Sequence, residues 1–203
     1  MFGGHPLSKQ YRIRLKFLTV ISMAVALSFI FEKPAIANEA DIWAALRKGG
    51  HVALLRHAIA PGTGDPNNFV IGDCRTQRNL SDEGRAQAKR IGDRFRANGI
   101  ASAPVFSSQW CRCLQTARLL TLGPVIDLPS LNSFFENFEQ RQPQTRALKA
   151  WLKDQDLRLP QILVTHQVNI TALTGVYPSS GELVVVRKAK NGALTVVGTI
   201  QTD

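Results

Sequence analysis

The sequence contains few of the residues that build metal centres and disulfide-rich domains. Its 203 residues include only three cysteines and four histidines. These are not arranged in the paired motifs of a zinc site, so we expect no metal ion. The sequence also has no internal repeats or low-complexity segments. With 44% hydrophobic residues, the chain is long enough to form one domain with a hydrophobic core.

The distribution of charge argues against nucleic-acid binding. The chain carries a formal net charge of +10, but residues 1–37 contain five of its 25 basic residues and one of its 15 acidic residues. Residues 38–203 therefore carry a net charge of +6. Their Lys and Arg residues are dispersed, and no tract combines basic with aromatic side chains. This moderate positive charge suits a small anionic substrate.

The N-terminal segment has the three parts of a secretory signal peptide. Basic residues in "LSKQYRIRLK" precede the uncharged run "FLTVISMAVALSFIF", and Ala35-Ile36-Ala37 provides small residues for signal peptidase. An uncleaved membrane anchor is the alternative, but this run is shorter than the roughly 20 residues of a spanning helix. We predict a signal peptide at residues 1–37, a mature domain at residues 38–203, and a periplasmic or secreted protein without stable membrane insertion.

Strands and helices are predicted to alternate along the mature chain. The predicted strands include residues 52–57, "PVFSS", "VIDLPSL" and "QILVTHQ". The longest helix begins at the N-cap Ser81 and ends at Asn98-Gly99, and a last hairpin turns at Asn191-Gly192. Residues 58–79 lack periodicity and indicate a long functional loop. We predict an α/β fold, a three-layer sandwich with a mostly parallel sheet and a C-terminal antiparallel hairpin.

Basic side chains follow three of the predicted strands. Arg56 and His57 end the first strand, Arg112 lies in the first turn of the helix after "PVFSS", and His166 ends "ILVT". The carboxyl ends of strands in an open α/β sheet meet at one crevice. Arginine binds phosphate through a charged fork, and histidine can act as a nucleophile near neutral pH. The pattern therefore indicates phosphoryl transfer through a phosphohistidine.

Four segments in order resemble the motifs of the histidine phosphatase superfamily, which is also called phosphoglycerate mutase-like. The segments are "LLRHA", "LSDEGRAQA", "SSQWCRCLQTA" and "VTHQ". Their usual forms in the family are RHG, L-T-x-x-G-x-x-Q-A, S-S-x-x-x-R-x-x-x-T-A and V-S-H-G. The resemblance covers nearly all of the mature chain and, with the signal peptide, points to an exported branch of the family.

This resemblance implies a role for each basic residue. His57 would be the phosphorylated nucleophile, and Arg56, Arg112 and His166 would bind the phosphoryl group, with no metal or other cofactor. The implied activity is hydrolysis of a small phosphomonoester; an envelope sugar phosphate is one substrate class. A mutase is less expected, because glycolytic substrates are cytoplasmic and the chain has no long insertions.

The sequence departs from the family pattern at three positions. Ala58 and Gln167 replace glycines, and Ser133 stands where the family has an acidic residue. Glu136, three residues later, is the nearest substitute for the general acid. Its rivals are Asp65, Asp73 and Glu139. An alternative function follows from the missing acid: a catalytically weak protein of the same fold that binds a phosphate or phosphoester.

Two further predictions concern the residues around this site. Arg75 and Arg78 extend the phosphate pocket, recognise a substrate or form surface ion pairs. Trp110 either packs in the core, which we favour, or lines the pocket. Cys111 and Cys113 are two residues apart on a helix and point in different directions, so they cannot both reach Cys74. We predict that Cys74 pairs with one of them.

Overall fold

The structure, a computed structural model, describes residues 38–202. The predicted signal peptide lies outside the described residues. Within this range, five α-helices and six β-strands follow one another along the chain. The helices are α1 (Glu39–Lys48), α2 (Asp82–Ala97), α3 (Cys111–Leu119), α4 (Arg141–Asp154) and α5 (Gln167–Thr174). The strands are β1 (His51–Arg56), β2 (Val105–Ser107), β3 (Val125–Asp127), β4 (Gln161–Thr165), β5 (Leu183–Lys188) and β6 (Leu194–Ile200).

The strands form one mixed sheet in the order β3-β2-β4-β1-β5-β6. The first four strands in this order are parallel, whereas β5 runs antiparallel to both β1 and β6. Asn191-Gly192 lies in the turn between β5 and β6, where Gly192 has a φ of +84° that favours glycine. The mostly parallel sheet and its C-terminal antiparallel hairpin are therefore confirmed.

Helices cover both faces of this sheet and bury two hydrophobic cores. Successive side chains of a strand point to opposite faces. On β1, Ala53 and Leu55 pack with α1, α2 and α3. Val52 and Leu54 pack with α4 and α5 on the other face. This arrangement confirms the three-layer α/β architecture.

Local sequence signals explain some of the helix boundaries. Ser81 Oγ accepts a hydrogen bond from the Gly84 amide at 3.0 Å and so caps α2 as predicted. The next helix is shorter than predicted: α3 ends at Leu119, not at Gly123, because Thr121 adopts a φ of +50° and cannot continue a right-handed helix. Within residues 38–202, no helix is both long and apolar enough to span a bilayer.

Candidate active site

A cavity of about 360 Å³ opens beyond the carboxyl ends of β1, β2 and β4. All five residues predicted for the site line it: Arg56, His57, Arg112, Glu136 and His166. The parallel sheet brings them together, because β1 and β4 are adjacent and end at the same edge. Residues from the loop 58–79, from residues 133–137 and from the segment before β5 complete the walls.

His57 follows β1 directly and is held in place by its own backbone. Its amide donates to the Thr165 carbonyl at 2.9 Å, and its side chain is buried. The ring Nδ1 lies 2.8 Å from the Ala58 carbonyl oxygen. Because a carbonyl only accepts, Nδ1 must carry the hydrogen, which leaves Nε2 with its lone pair. Burial, and then the charge of Arg112, lower the pKa of His57 to about 3. The ring is therefore neutral near pH 7.

Arg112 lies in the first turn of α3 and connects both histidines to a carboxylate. Its Nε is 3.3 Å from His57 Nε2, and its Nη2 is 3.5 Å from His166 Nδ1. Its Nη1 and Nη2 donate to the two carboxylate oxygens of Asp65 at 2.8 and 3.1 Å. Only 3% of the Arg112 side chain and 8% of the Asp65 side chain are exposed. This bidentate pair fixes the guanidinium group beside the proposed nucleophile.

His166 occupies the N-cap position of α5 and is equally buried. Its Nδ1 faces Arg112, which only donates, so the hydrogen belongs on Nε2. Nε2 lies 2.9 Å from Ser108 Oγ, and Ser108 Oγ donates in turn to Asn132 Oδ1 at 3.3 Å. Burial, followed by the charge of Arg112, lowers the pKa of His166 well below its ordinary value.

Two further arginines face the cavity. Arg56 Nη1 donates to the Pro178 carbonyl at 2.9 Å, while its buried Nε has no hydrogen-bond partner among residues 38–202. Arg78 Nε donates to the Gly64 carbonyl at 2.9 Å. The pKa of each guanidinium is lowered, mainly by burial. The structure thus resolves the alternatives for Arg78, which lines the cavity, and Arg75, which is 90% exposed and pairs with a surface carboxylate.

Two of the four candidate acids line the cavity, and they differ in their surroundings. Asp65 accepts from the Arg112 fork, from the Arg78 amide at 3.0 Å and from Trp110 Nε1 at 3.0 Å. Burial raises the pKa of Asp65, but these hydrogen bonds outweigh it and hold the pKa below its ordinary value. Asp65 is therefore an anion that positions Arg112, and it is poorly suited to donate a proton.

Glu136 is the second carboxylate in the cavity and has fewer hydrogen-bond partners than Asp65. Its Oε1 accepts from the Asp65 amide at 3.1 Å, and the residue is otherwise exposed. Gly64 allows this approach of the two loops: it has a φ of +70°, and a Cβ there would lie 2.7 Å from Glu136 Oε1. Asp73 instead pairs with Arg75 on the surface, and Glu139 does not line the cavity.

A disulfide joins the loop 58–79 to the start of α3. Cys74 is bonded to Cys111, which confirms the predicted pairing and selects between its two alternatives. The bond holds the segment that carries Arg78 next to the helical turn that carries Arg112. Cys113 is free and buried, and burial raises the pKa of its thiol to about 12. That thiol is therefore not a nucleophile at neutral pH.

More aromatic side chains line the cavity than the sequence predicted. Trp110 packs against the hydrophobic core as favoured, but it also lines the cavity and donates to Asp65. Phe135 and Tyr177 line the cavity too, and neither was singled out. The three phenylalanines of the segment "NSFFENF" could have indicated that an aromatic side chain lies beside the cavity. No cluster of His, Cys, Asp and Glu within residues 38–202 could hold a metal ion.

Comparisons with known proteins agree with this geometry. The family model described as histidine phosphatase superfamily (branch 1) matches residues 52–162, more than half of the chain. No curated protein matches the chain in sequence. A structure of the protein histidine phosphatase SixA complexed with tungstate is similar at 15% identity and a TM-score of 0.55. The match covers 75% of this chain and 97% of that one.

Two other solved structures are similar at comparable levels. The phosphoserine phosphatase of Entamoeba histolytica, in complex with 3-phosphoglyceric acid, shares 13% identity with a TM-score of 0.52, covering 75% of this chain and 98% of that chain. The Rv3214 product of Mycobacterium tuberculosis shares 16% identity with a TM-score of 0.54, covering 72% and 94%. At these identities the likeness establishes the fold.

Proposed function

The chain belongs to the histidine phosphatase superfamily, branch 1, and we propose that it hydrolyses a phosphomonoester through a phosphohistidine formed on His57. One observation carries the proposal. The unprotonated Nε2 of a buried histidine lies 3.3 Å from the Nε of a buried arginine, inside a cavity that two more arginines line. A nucleophile and fixed positive charge are the two requirements for transfer of an anionic phosphoryl group.

In the first half-reaction, His57 Nε2 attacks the phosphorus atom. A P–N bond forms while the P–O bond to the leaving group breaks, and the electron pair departs with the leaving oxygen. Glu136, protonated at this stage, donates its proton to that oxygen. Arg56, Arg78 and Arg112 balance the charge of the equatorial oxygens, and the hydrogen bond from Arg112 Nε to His57 Nε2 gives way to the attack on phosphorus. The negative charge of the phosphoryl group also favours a protonated His166 that donates to it.

In the second half-reaction, water replaces the leaving group. The Glu136 carboxylate takes a proton from the water as its oxygen attacks phosphorus, and the P–N bond breaks. The electron pair returns to His57 Nε2, and inorganic phosphate leaves. Nδ1 keeps its hydrogen and its bond to the Ala58 carbonyl throughout, so the ring presents the same nitrogen in every cycle.

The family supports phosphatase chemistry, but it does not identify the substrate. Structures of similar fold include a protein histidine phosphatase and a phosphoserine phosphatase, whose substrates differ. The sequence adds the prediction of export, and with it an envelope phosphoester such as a sugar phosphate. Both belong to the proposal, as does a periplasmic or secreted location.

A phosphate-binding protein of the same fold is the second candidate. It is favoured by Ser133, which lines the cavity in place of the acidic residue of the family. It is also favoured by Glu136, because a backbone amide already engages its carboxylate. In this case the arginines would hold a phosphate or phosphoester without turning it over.

Hydrolysis of nitrophenyl phosphate by the purified protein separates the two candidates. We expect turnover, and His57→Ala should reduce it by about 10⁴-fold or more, as the loss of a covalent nucleophile does elsewhere. The matched control is His51→Ala, at the opposite end of the same strand, which should retain activity. Phosphate binding without turnover by the wild-type protein would instead favour the binding protein.

A further inference from the structure

Exposed apolar side chains are concentrated on the segments that form the walls of the cavity. Eight large ones are strongly exposed within residues 38–202, and five of these lie on three segments that contribute to the cavity walls. The five are Val70, Ile71, Phe135, Phe138 and Tyr177. Single exposed apolar residues are ordinary, but a contiguous group beside a pocket marks a binding surface.

Four of the cavity-lining side chains form what we call the apolar collar: Trp110, Phe135, Val168 and Tyr177. Other aromatic rings support it from behind. Phe69 stacks on Trp110 with ring centroids 4.9 Å apart, and Phe138 packs against Phe135 at 6.1 Å. Tyr177 is 75% exposed and lies next to Pro178, whose carbonyl accepts from Arg56. The collar is thus connected to Arg56 through the residue next to Tyr177.

The cavity has two zones of different chemistry. Arg56, Arg78 and Arg112 provide the positive charge at its base, together with both buried histidines. Nearer the mouth, the collar is uncharged, and the charged residues beside it are the carboxylates of Glu136 and of Asp65, which pairs with Arg112. Among residues 38–202, no lysine or arginine beyond the three at the base lines the cavity. A ligand that matches both zones has an anionic head and an apolar body.

We propose that the substrate is a phosphomonoester with an extended apolar leaving group, alkyl or aryl, which packs against the apolar collar. This inference rests on the proposed phosphatase function and specifies its substrate class. Because His57, Arg112 and His166 are buried and Phe135 and Tyr177 are exposed, a group esterified to a phosphoryl on His57 would extend from the base towards the collar. A sugar leaving group, which the prediction of export suggested, would bury less apolar surface against the collar than an alkyl or aryl group, so we place it second to them.

A series of alkyl phosphates tests this specificity. Ethyl, butyl, hexyl and octyl phosphate, used below the concentrations at which they aggregate, have leaving groups of similar acidity and differ in apolar length. For the wild-type protein, kcat/KM should rise with chain length by up to about fourfold per methylene group that reaches the collar. Glycerol phosphate and a sugar phosphate, measured in parallel, should be poorer substrates than octyl phosphate.

Two substitutions connect the dependence on chain length with the collar. Phe135→Ser and Tyr177→Ser should each flatten the rise of kcat/KM with chain length, and the double variant should flatten it most. The matched control is Ile126→Ser on the edge strand β3. Ile126 is 43% exposed and Phe135 39%, but Ile126 does not line the cavity. The control should keep the full chain-length dependence.

The outcomes separate this inference from the proposed function. Hydrolysis of every ester without dependence on chain length, or a preference for the sugar phosphate, would overturn the collar as a specificity surface and leave the phosphatase intact. Chain-length dependence that survives in the Phe135→Ser, Tyr177→Ser double variant would also overturn it. Failure of the wild-type protein to hydrolyse any of the esters, nitrophenyl phosphate included, would refute the phosphatase itself.

Discussion

The base and the rim of the cavity are built in different ways. At the base, Arg56, His57, Arg112 and His166 lie at strand ends or in the first turn of a helix, and Arg78 reaches in from the loop 58–79. The rim consists mainly of loop residues, among them Asp65, Glu136, and Phe135 and Tyr177 of the apolar collar. The base is positioned by the backbone ladder of the sheet, as shown by the bond from the His57 amide to the Thr165 carbonyl. The rim depends on contacts between loops.

This difference suggests a division of roles, in which the base serves the reaction with every substrate and the rim selects among substrates. A sheet can hold buried charges accurately, because each is fixed by regular hydrogen bonds and by its neighbours. The loops of the rim are joined at isolated points, such as the Cys74–Cys111 disulfide and the bond between the Asp65 amide and Glu136. We therefore expect substitutions in the base to affect every substrate, and substitutions in the rim to affect some substrates more than others.

The largest effect should come from Arg112→Ala in the base. Removal of an arginine that neutralises a transferring phosphoryl group typically costs about 10³–10⁵-fold in kcat. We expect losses in this range for nitrophenyl and alkyl phosphates alike, measured as kcat under saturating substrate. Arg75→Ala is the matched control, because Arg75 lies on the same loop as Arg78 but pairs with Asp73 at the surface. It should leave the activity unchanged.

The Arg112 variant also needs a test of folding, because it leaves Asp65 buried without its partner. Thermal unfolding of the variant will show whether the domain persists. Arg56→Ala provides a second variant of the base that breaks no ion pair, and it too should lower kcat with all substrates. A loss confined to alkyl phosphates in both variants would contradict the general role of the base.

A smaller and substrate-dependent effect is expected for Glu136→Gln in the rim. A general acid is typically worth about 10²–10⁴-fold. Loss of Glu136 should therefore reduce hydrolysis of alkyl phosphates by this factor and affect nitrophenyl phosphate little, since its leaving group needs little protonation. Asp65→Asn is the comparison. Because Asp65 positions Arg112, its loss should lower both activities in parallel.

The reverse pattern would exchange the two assignments. If Asp65→Asn discriminates between the leaving groups and Glu136→Gln does not, Asp65 is the acid despite its hydrogen bonds. Equal and small effects of both substitutions would remove both carboxylates from proton transfer and direct attention to Asp73.

The smallest effect concerns the pH dependence of stability, which the buried histidines of the base should dominate. The folded protein keeps His57 and His166 neutral, because their pKa values are lowered. The unfolded chain takes up protons on both as the pH falls through about 6.5. Their contribution to stability is therefore complete above this pH and is lost towards the folded pKa, which is about 3 for His57.

Each of these histidines should lower the free energy of unfolding by up to about 1.4 kcal/mol per pH unit below pH 6.5. Denaturant titrations between about pH 7 and pH 5 measure this slope, in a range above the ordinary pKa values of the carboxylates. In His57→Ala, the free energy of unfolding should change less steeply with pH, by the contribution of one histidine. An identical pH dependence in the variant and in the wild-type protein would show that His57 is not held neutral.

The base could be predicted from the sequence, and the fold explains why. Arg56-His57 and His166 follow short apolar runs that can only be buried strands, and parallel strands end at one edge. The direction of the strands therefore predicts that these side chains meet, without any knowledge of distances. Arg112 follows from the same argument, since it lies one turn after a strand. Asn191-Gly192 predicted the turn of the hairpin, and Ser81 predicted the start of the longest helix. The structure has both features at these residues.

The rim was less accessible to sequence reasoning. Residue type alone does not distinguish the four candidate acids, Asp65, Asp73, Glu136 and Glu139. Only the path of the loops shows which of them line the cavity. Similarly, the sequence could not distinguish Arg75 from Arg78. Arg75 lies in the short 3-10 helix Cys74–Thr76 and faces solvent, whereas Arg78 lies after it and faces the cavity. The apolar collar was missed because its members come from four separate segments and have no common spacing.

The central claim is that His57 carries the phosphoryl group between the two half-reactions. Brief reaction with nitrophenyl phosphate labelled in its phosphorus, followed by an alkaline denaturing quench and peptide mapping, tests this claim directly. We predict label on the peptide that contains His57, stable in alkali, released by acid as expected of a phosphoramidate, and absent from His57→Ala. Label on another residue, or steady turnover with no label on His57, would contradict the account.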